Sequence, residues 1–154
     1  MDTRNIFPQA NNLNLVLQVL TILSQNKNIP KAEISLKLDI VPRQVDYYIN
    51  VLYYFDLVTE KNALTLKGRF VNDPVINEYD KLVILKNIIV EKQIFAEIDC
   101  YIKLHKRVPS NLTISEYIAK YYQLSQSTLI RRSSTVKSWF EYLIKQGVYE
   151  ELQP

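Results

Sequence analysis

The sequence predicts a mostly α-helical protein built from two consecutive units of one design, each a helix-turn-helix followed by a small β element. Three observations carry this. The 154 residues include only two glycines, Gly68 and Gly147, too few for the repeated positive-φ turns of many-stranded architectures. Apolar residues recur at three- and four-residue steps along much of the chain, which is the period of helices buried on one face. A helix expected around Val45, Tyr48 and Leu52 is matched 91 positions later by Val136, Trp139 and Leu143. A helix-turn-helix backed by a hairpin is a winged helix, so the expectation is tandem winged-helix units over 1–72 and 80–154, with a linker at 73–79 around Pro74.

Leu13, Val16, Leu17, Leu20 and Leu23 line one face of an opening helix that should end near Gln25 to Asn28. Pro30 suits the first turn of the next, where its missing N–H costs nothing, and Ile34, Leu36 and Leu38 supply apolar contacts as far as Asp39. After a tight connection through Ile40 and Val41, Pro42 opens a third helix. Its buried stripe is Val45, Tyr48 or Ile49, Leu52 and Phe55, while Arg43, Gln44, Asp46, Tyr47 and Asn50 point away. Leu57-Val58-Thr59-Glu60 and Ala63-Leu64-Thr65-Leu66 flank the turn-compatible pair Lys61-Asn62. A short hairpin or wing should follow, with Lys61, Lys67 and Arg69 around it.

In the second unit, Leu82, Leu85, Ile88 and Ile89 mark one amphipathic segment and Phe95, Ile98, Tyr101, Ile102 and His105 another, with a bend near Lys92-Gln93. Thr113 and Glu116 fit a capping box opening a helix that runs through Tyr121. The last helix carries Leu129, Val136, Trp139, Phe140 and Leu143; it starts either at Ser127, including Arg131-Arg132, or at Ser133 or Ser134 after a separate turn. Under both alternatives Arg131, Arg132, Thr135, Lys137 and Ser138 fall on its non-apolar side.

With 47% hydrophobic and 23% charged residues the chain has the composition of a folded protein. One cysteine and one histidine cannot build a disulfide or the usual zinc site, and Cys100 is expected to be a small core residue. The opening residues to Asn14 are polar, and the apolar runs stop short of the ~20 residues needed to cross a bilayer. The expectation is a cytoplasmic protein with no membrane segment and no cofactor of its own. A net charge of +3 and a pI near 8.9 permit nucleic-acid binding without requiring it, so charge placement must decide. Arg43, Gln44, Asp46, Tyr47 and Asn50 would read or border one stretch of groove, and Arg131, Arg132, Thr135, Lys137 and Ser138 a second. Lys61, Lys67 and Arg69 would grip the backbone. The same charges on solvated helix faces and a hairpin edge would bind nothing, and Asp46 can instead pair with Arg43 one turn away. In the helical tyrosine pairs Tyr47-Tyr48, Tyr53-Tyr54 and Tyr121-Tyr122, one ring can pack inward while its neighbour faces outward.

The run Arg43-Gln44-Val45-Asp46-Tyr47-Tyr48-Ile49-Asn50 with the later Leu64-Thr65-x-x-Gly68, and the run Ser127-Thr128-x-x-Arg131-Arg132-x-x-Thr135-Val136-Lys137-Ser138-Trp139, resemble winged-helix modules of bacterial restriction-modification proteins, including type II restriction endonucleases. The resemblance spans nearly the whole chain and implies a region that recognises double-stranded DNA for a separate nuclease domain, beyond Pro154 or in another chain. A divalent cation such as Mg would belong to that nuclease domain. One departure is that after Gly147-Val148-Tyr149 too few residues follow for a second full wing, the expectation for a fragment of a longer enzyme or a stand-alone module. The chain contains no Asp-x-Lys or Glu-x-Lys triplet of the kind that holds a catalytic cation in such nucleases. His105 beside Lys106-Arg107 fits a structural or phosphate-adjacent role. A dimeric transcriptional regulator and a protein-protein module are the alternatives.

Overall fold

The computed structural model describes residues 9–150 and 152. The polar opening segment up to Pro8, and Glu151, Gln153 and Pro154, lie outside the described residues. The chain divides into two compact units, Met1–Ile76 and Asn77–Pro154. That division falls inside the segment 73–79 expected as a linker, although Glu78 and Tyr79 already belong to the next helix.

In the first unit α1 (Leu13–Gln25), α2 (Lys31–Leu38) and α3 (Pro42–Tyr54) pack on one another, and α4 (Leu66–Val71) follows. α1 starts where Asn12 caps it, the side-chain oxygen accepting from the N–H groups of Asn14 and Leu15 at 2.9 and 3.2 Å. Leu13, Val16 and Leu20 of α1, Ile34 of α2, and Val45 and Leu52 of α3 form the core. Leu36, expected to contribute to it, is 82% exposed. Two positions along a helix is a rotation of about 200°, so burying Ile34 turns Leu36 outward. Asp39, in the left-handed conformation at φ 53°, ends α2. Only Asp39, Ile40 and Val41 then separate α2 from α3, the spacing of a helix-turn-helix.

The expected wing is reduced to one antiparallel bridge, Val58 to Leu64. The Thr59 N–H donates to the Ala63 carbonyl at 2.7 Å and Asn62, at φ 64°, turns the chain, but no strand ladder forms among the described residues. Thr65 stops it. Its Oγ1 accepts from the Gly68 N–H at 3.1 Å and donates to the Asp56 carbonyl at 2.6 Å, so Thr65 is a helix cap and Leu66 begins α4 instead of extending a strand. Lys67 and Arg69 consequently sit on α4, and of the three cations expected around a wing only Lys61 is on the turn. Replacing Thr65 by valine keeps the shape and removes both hydrogen bonds; a loss of roughly 1 to 2 kcal/mol is expected. The midpoint of urea unfolding measures it, and an unchanged midpoint would show the cap to be dispensable.

The second unit holds α5 (Glu78–Ile89), α6 (Gln93–His105), α7 (Asn111–Ala119) and α8 (Gln126–Lys145). Leu82, Leu85, Ile88 and Ile89 are buried as their spacing predicts, and α5 and α6 are separated at Val90 to Lys92, where the bend was expected. On α6 the buried stripe is Phe95, Ile98 and Ile102; Tyr101 is half-buried and His105 exposed. Cys100 is exposed, not a core residue. Phe95 meets Trp139 with ring centres 5.8 Å apart. Ser110, and not Thr113, caps α7, accepting from the Thr113 N–H at 3.2 Å. The capping box with Glu116 is therefore absent, and α7 ends at Ala119, short of Tyr121. α8 takes the longer of its alternatives, with Ser125 as cap. It closes at Gly147, φ 81°, where the Gly147 and Val148 N–H groups reach back to the Ile144 and Leu143 carbonyls, both at 3.0 Å. This unit has four helices and, among its described residues, no β element; six residues, 120–125, separate α7 from α8. Among the described residues of the chain no helix is long and apolar enough to cross a membrane.

Candidate nucleic-acid interface

α3 presents the expected residues on its accessible side. Arg43 and Gln44 are exposed, and Asp46, Tyr47 and Asn50 half-buried. Arg43 is braced, its Nε donating to the Tyr47 hydroxyl at 2.6 Å with the guanidinium carbon 5.7 Å from the ring centre. These contacts, one helical turn apart, reduce the rotamer freedom that a ligand would otherwise have to remove. Gln44 accepts from the Val41 N–H at 3.4 Å, so its oxygen helps to cap the helix. Asp46 pairs with Lys31 of α2 at 2.9 Å, and not with Arg43. The pair offsets the one negative charge on this face. In the tyrosine pairs of α3, Tyr48 and Tyr54 go inward and Tyr47 and Tyr53 remain partly accessible; Tyr121 and Tyr122 follow the end of α7 and are not a helical pair.

The cluster expected on α8 separates. Arg131 and Ser138 are exposed, and Lys137 is half-buried and 3.8 Å from Glu141. Arg132 and Thr135 are buried, at 7% and 1% exposure, and Ser133 with them. The hydroxyls of Ser133, Thr135 and Ser138 bond the carbonyls of Ile130, Arg131 and Ser134 at 2.9, 3.1 and 2.9 Å, which satisfies them inside their own helix. Periodicity explains the burial: Arg132, Val136, Trp139 and Leu143 are spaced at i, i+4, i+7 and i+11, on one stripe. The accessible side is instead Arg131, Ser134 and Ser138, with the Arg131 guanidinium 3.5 Å from the Thr128 hydroxyl. Under the repeat, Ser134 and Ser138 stand where Arg43 and Tyr47 stand in α3.

A second polar constellation had no signal in the apolar periodicity. Asp99 of α6 is 6% exposed and accepts from the Tyr149 hydroxyl at 2.6 Å. Lys103 and Lys86 lie 3.0 and 3.5 Å from its oxygens, and Lys86 stands 5.0 Å over the Tyr149 ring. Burial alone would raise the carboxyl pKa, but the hydrogen bonds from Tyr149 and Lys103 and the two lysine charges outweigh it and hold it below the ordinary value. Burial first, and then Asp99, pushes the Tyr149 phenol up, so it remains a protonated donor. Because Tyr149 is buried and tied to the buried Asp99, this cluster is an anchor for the segment after α8. No group of three or more His, Cys, Asp or Glu side chains gathers to hold a metal among the described residues.

Comparisons with curated proteins and with solved structures found no match. The family described as "Domain of unknown function (DUF7226)" matches residues 15–147. That match spans most of both units, and the chain belongs to this family.

Proposed function

We propose that this protein binds double-stranded DNA with sequence preference, using α3 and the accessible face of α8, and that it serves as the target-recognition part of a restriction-modification protein. The observation that carries the first half is the α2–α3 helix-turn-helix with Arg43, Gln44, Tyr47 and Asn50 on its accessible side. Recognition helices meet base edges mainly through residues near their N-terminus, and Arg43 is the second residue of α3. Lys61 on the turn and Lys67 and Arg69 on α4 are exposed cations suited to phosphate contact. The second half rests on the motif resemblance of α3 and α8, and a catalytic cation would belong to a separate nuclease domain. The apolar surface of Leu36 on α2 and Val41 in the turn before α3, 82% and 59% exposed, favours a protein partner as the second reading.

The test is retention on a randomised duplex library at several salt concentrations, followed by Arg43→Ala and Arg131→Ala on the enriched sequence. An asymmetric motif is expected; a two-fold motif would point to a dimeric regulator. Each variant should lose roughly 1 to 3 kcal/mol on the preferred site if its arginine is bidentate to guanine, or lose affinity on all sequences with a salt slope smaller by about 1 if it meets only phosphate. Arg132→Ala, at a buried position, should lower stability first. No retention at low salt would sink the DNA reading and bring the protein partner forward.

A further inference from the structure

The face of α6 turned away from Phe95, Ile98 and Ile102 forms, with α7, an open groove of about 400 Å³. Ala96, Tyr101, Leu104 and Tyr117 give it apolar and aromatic walls, and Glu97 is the one carboxylate among its lining residues. One oxygen of Glu97 accepts from the Tyr121 hydroxyl at 2.9 Å; the other is shielded from solvent and lies 3.8 Å from the Lys120 ammonium. That ammonium is also 5.0 Å from the centre of the Tyr117 ring. A cation therefore already sits where a carboxylate and a ring face converge, the two groups that attract an ammonium ion out of water. Lys120 is nevertheless a weak occupant. Its side chain is 55% exposed, and an exposed ion pair and a solvated cation–π contact each contribute little.

We propose that this groove binds a small organic cation, whose ammonium group displaces Lys120 from Glu97 and Tyr117 while its apolar body lies along Tyr101 and Leu104. A volume of about 400 Å³ is that of a small-molecule site, and the carboxylate excludes anions. The inference is independent of the DNA reading, because none of these residues belongs to α3 or α8.

The protein carries its own reporter. His105, the only histidine, lines the groove and packs against Tyr101, the rings tilted with centres 4.2 Å apart, so its proton resonances can be followed at fixed pH while n-butylammonium chloride is added, with n-butanol as the neutral isostere. A saturable shift is expected with the amine and not with the alcohol. Lys120→Ala should tighten amine binding about threefold by removing the internal competitor, and Glu97→Gln should abolish it. The proposal is overturned if no saturable shift appears, if the alcohol matches the amine, or if Lys120→Ala binds no more tightly than the unaltered protein. The amine-against-alcohol comparison uses the unaltered chain and so depends on no variant folding.

Discussion

Gly68→Ala is expected to destabilise the first unit by about 3 kcal/mol. On an exposed helix the same change would stabilise by up to about 1 kcal/mol, since alanine is the better helix former; packing reverses the sign here. A Cβ on Gly68 would lie 2.0 Å from the Leu57 carbonyl oxygen, and the obstacle is backbone, not the end of a side chain that can swing aside. That carbonyl is fixed, because it accepts from the Thr65 N–H at 3.1 Å. The chain must either shift Leu57, itself fully buried, or let α4 lift away. Lifting α4 exposes Val71 and breaks the tie of its C-cap Asn72 to α1, where its amide meets Thr21 and Ser24 at 2.8 and 2.9 Å. Either response gives up contacts that a six-residue helix has no means of replacing. Urea unfolding followed by far-ultraviolet circular dichroism should show the lower midpoint, and amide exchange should locate the lost protection in α4. An unfolding free energy within about 0.5 kcal/mol of the parent's would mean that α4 does not depend on this close approach.

The helices were legible because burial imposes their period: Val16 and Leu20, Val45 and Leu52, and Val136, Trp139 and Leu143 could be placed on core faces from spacing alone, and each is buried. Ends and caps were less so, since Ser110 and Thr113 have the same capping chemistry, and so do Ser125 and the serines after it. The choice is made by which start buries the following apolar residues best. Thr65 was missed for a related reason. In Ala63-Leu64-Thr65-Leu66 the alternation fits a strand, and only the contact of Gly68 with Leu57, distant in sequence, shows that a helix must begin there. The uncertain start of α8 also hid Arg132, whose charge placed it on the outside although its phase with Val136 and Trp139 places it within. Asp99 was hidden because, of the groups that hold it, only Lys103 is on its own helix, one turn on, while Lys86 and Tyr149 come from other segments. On α3 the accessible side is the one the spacing indicates; on α8, Arg131 and Ser138 are exposed and Lys137 half-buried, while Ser134, also exposed, stands out in the sequence only as a possible start of the helix.

Asp99→Asn should cost the second unit about 2 to 3 kcal/mol at neutral pH, and that cost should shrink in acid. The amide retains an acceptor for the Tyr149 hydroxyl, so the main loss is the negative charge. Lys103, 61% exposed, can return to water, but Lys86, 13% exposed, would be left buried without the carboxylate it pairs with. Lys86 therefore sets the magnitude. The pH dependence follows from the direction of the Asp99 shift. Its folded pKa lies below the ordinary value, so the stability it contributes is fully present above the unfolded carboxyl value near ~3.9 and is lost as pH falls through the lower folded value. Unfolding of the parent and of Asp99→Asn, followed by fluorescence of Trp139, the only tryptophan, should differ most near neutrality and converge below about pH 4. Tyr149→Phe should show a smaller loss, since it removes one 2.6 Å hydrogen bond and leaves both lysine contacts in place. If the difference between parent and Asp99→Asn stayed constant from neutral pH to acid, the cluster would be held by packing and neutral hydrogen bonds, and the charge of Asp99 would not be what anchors the segment after α8.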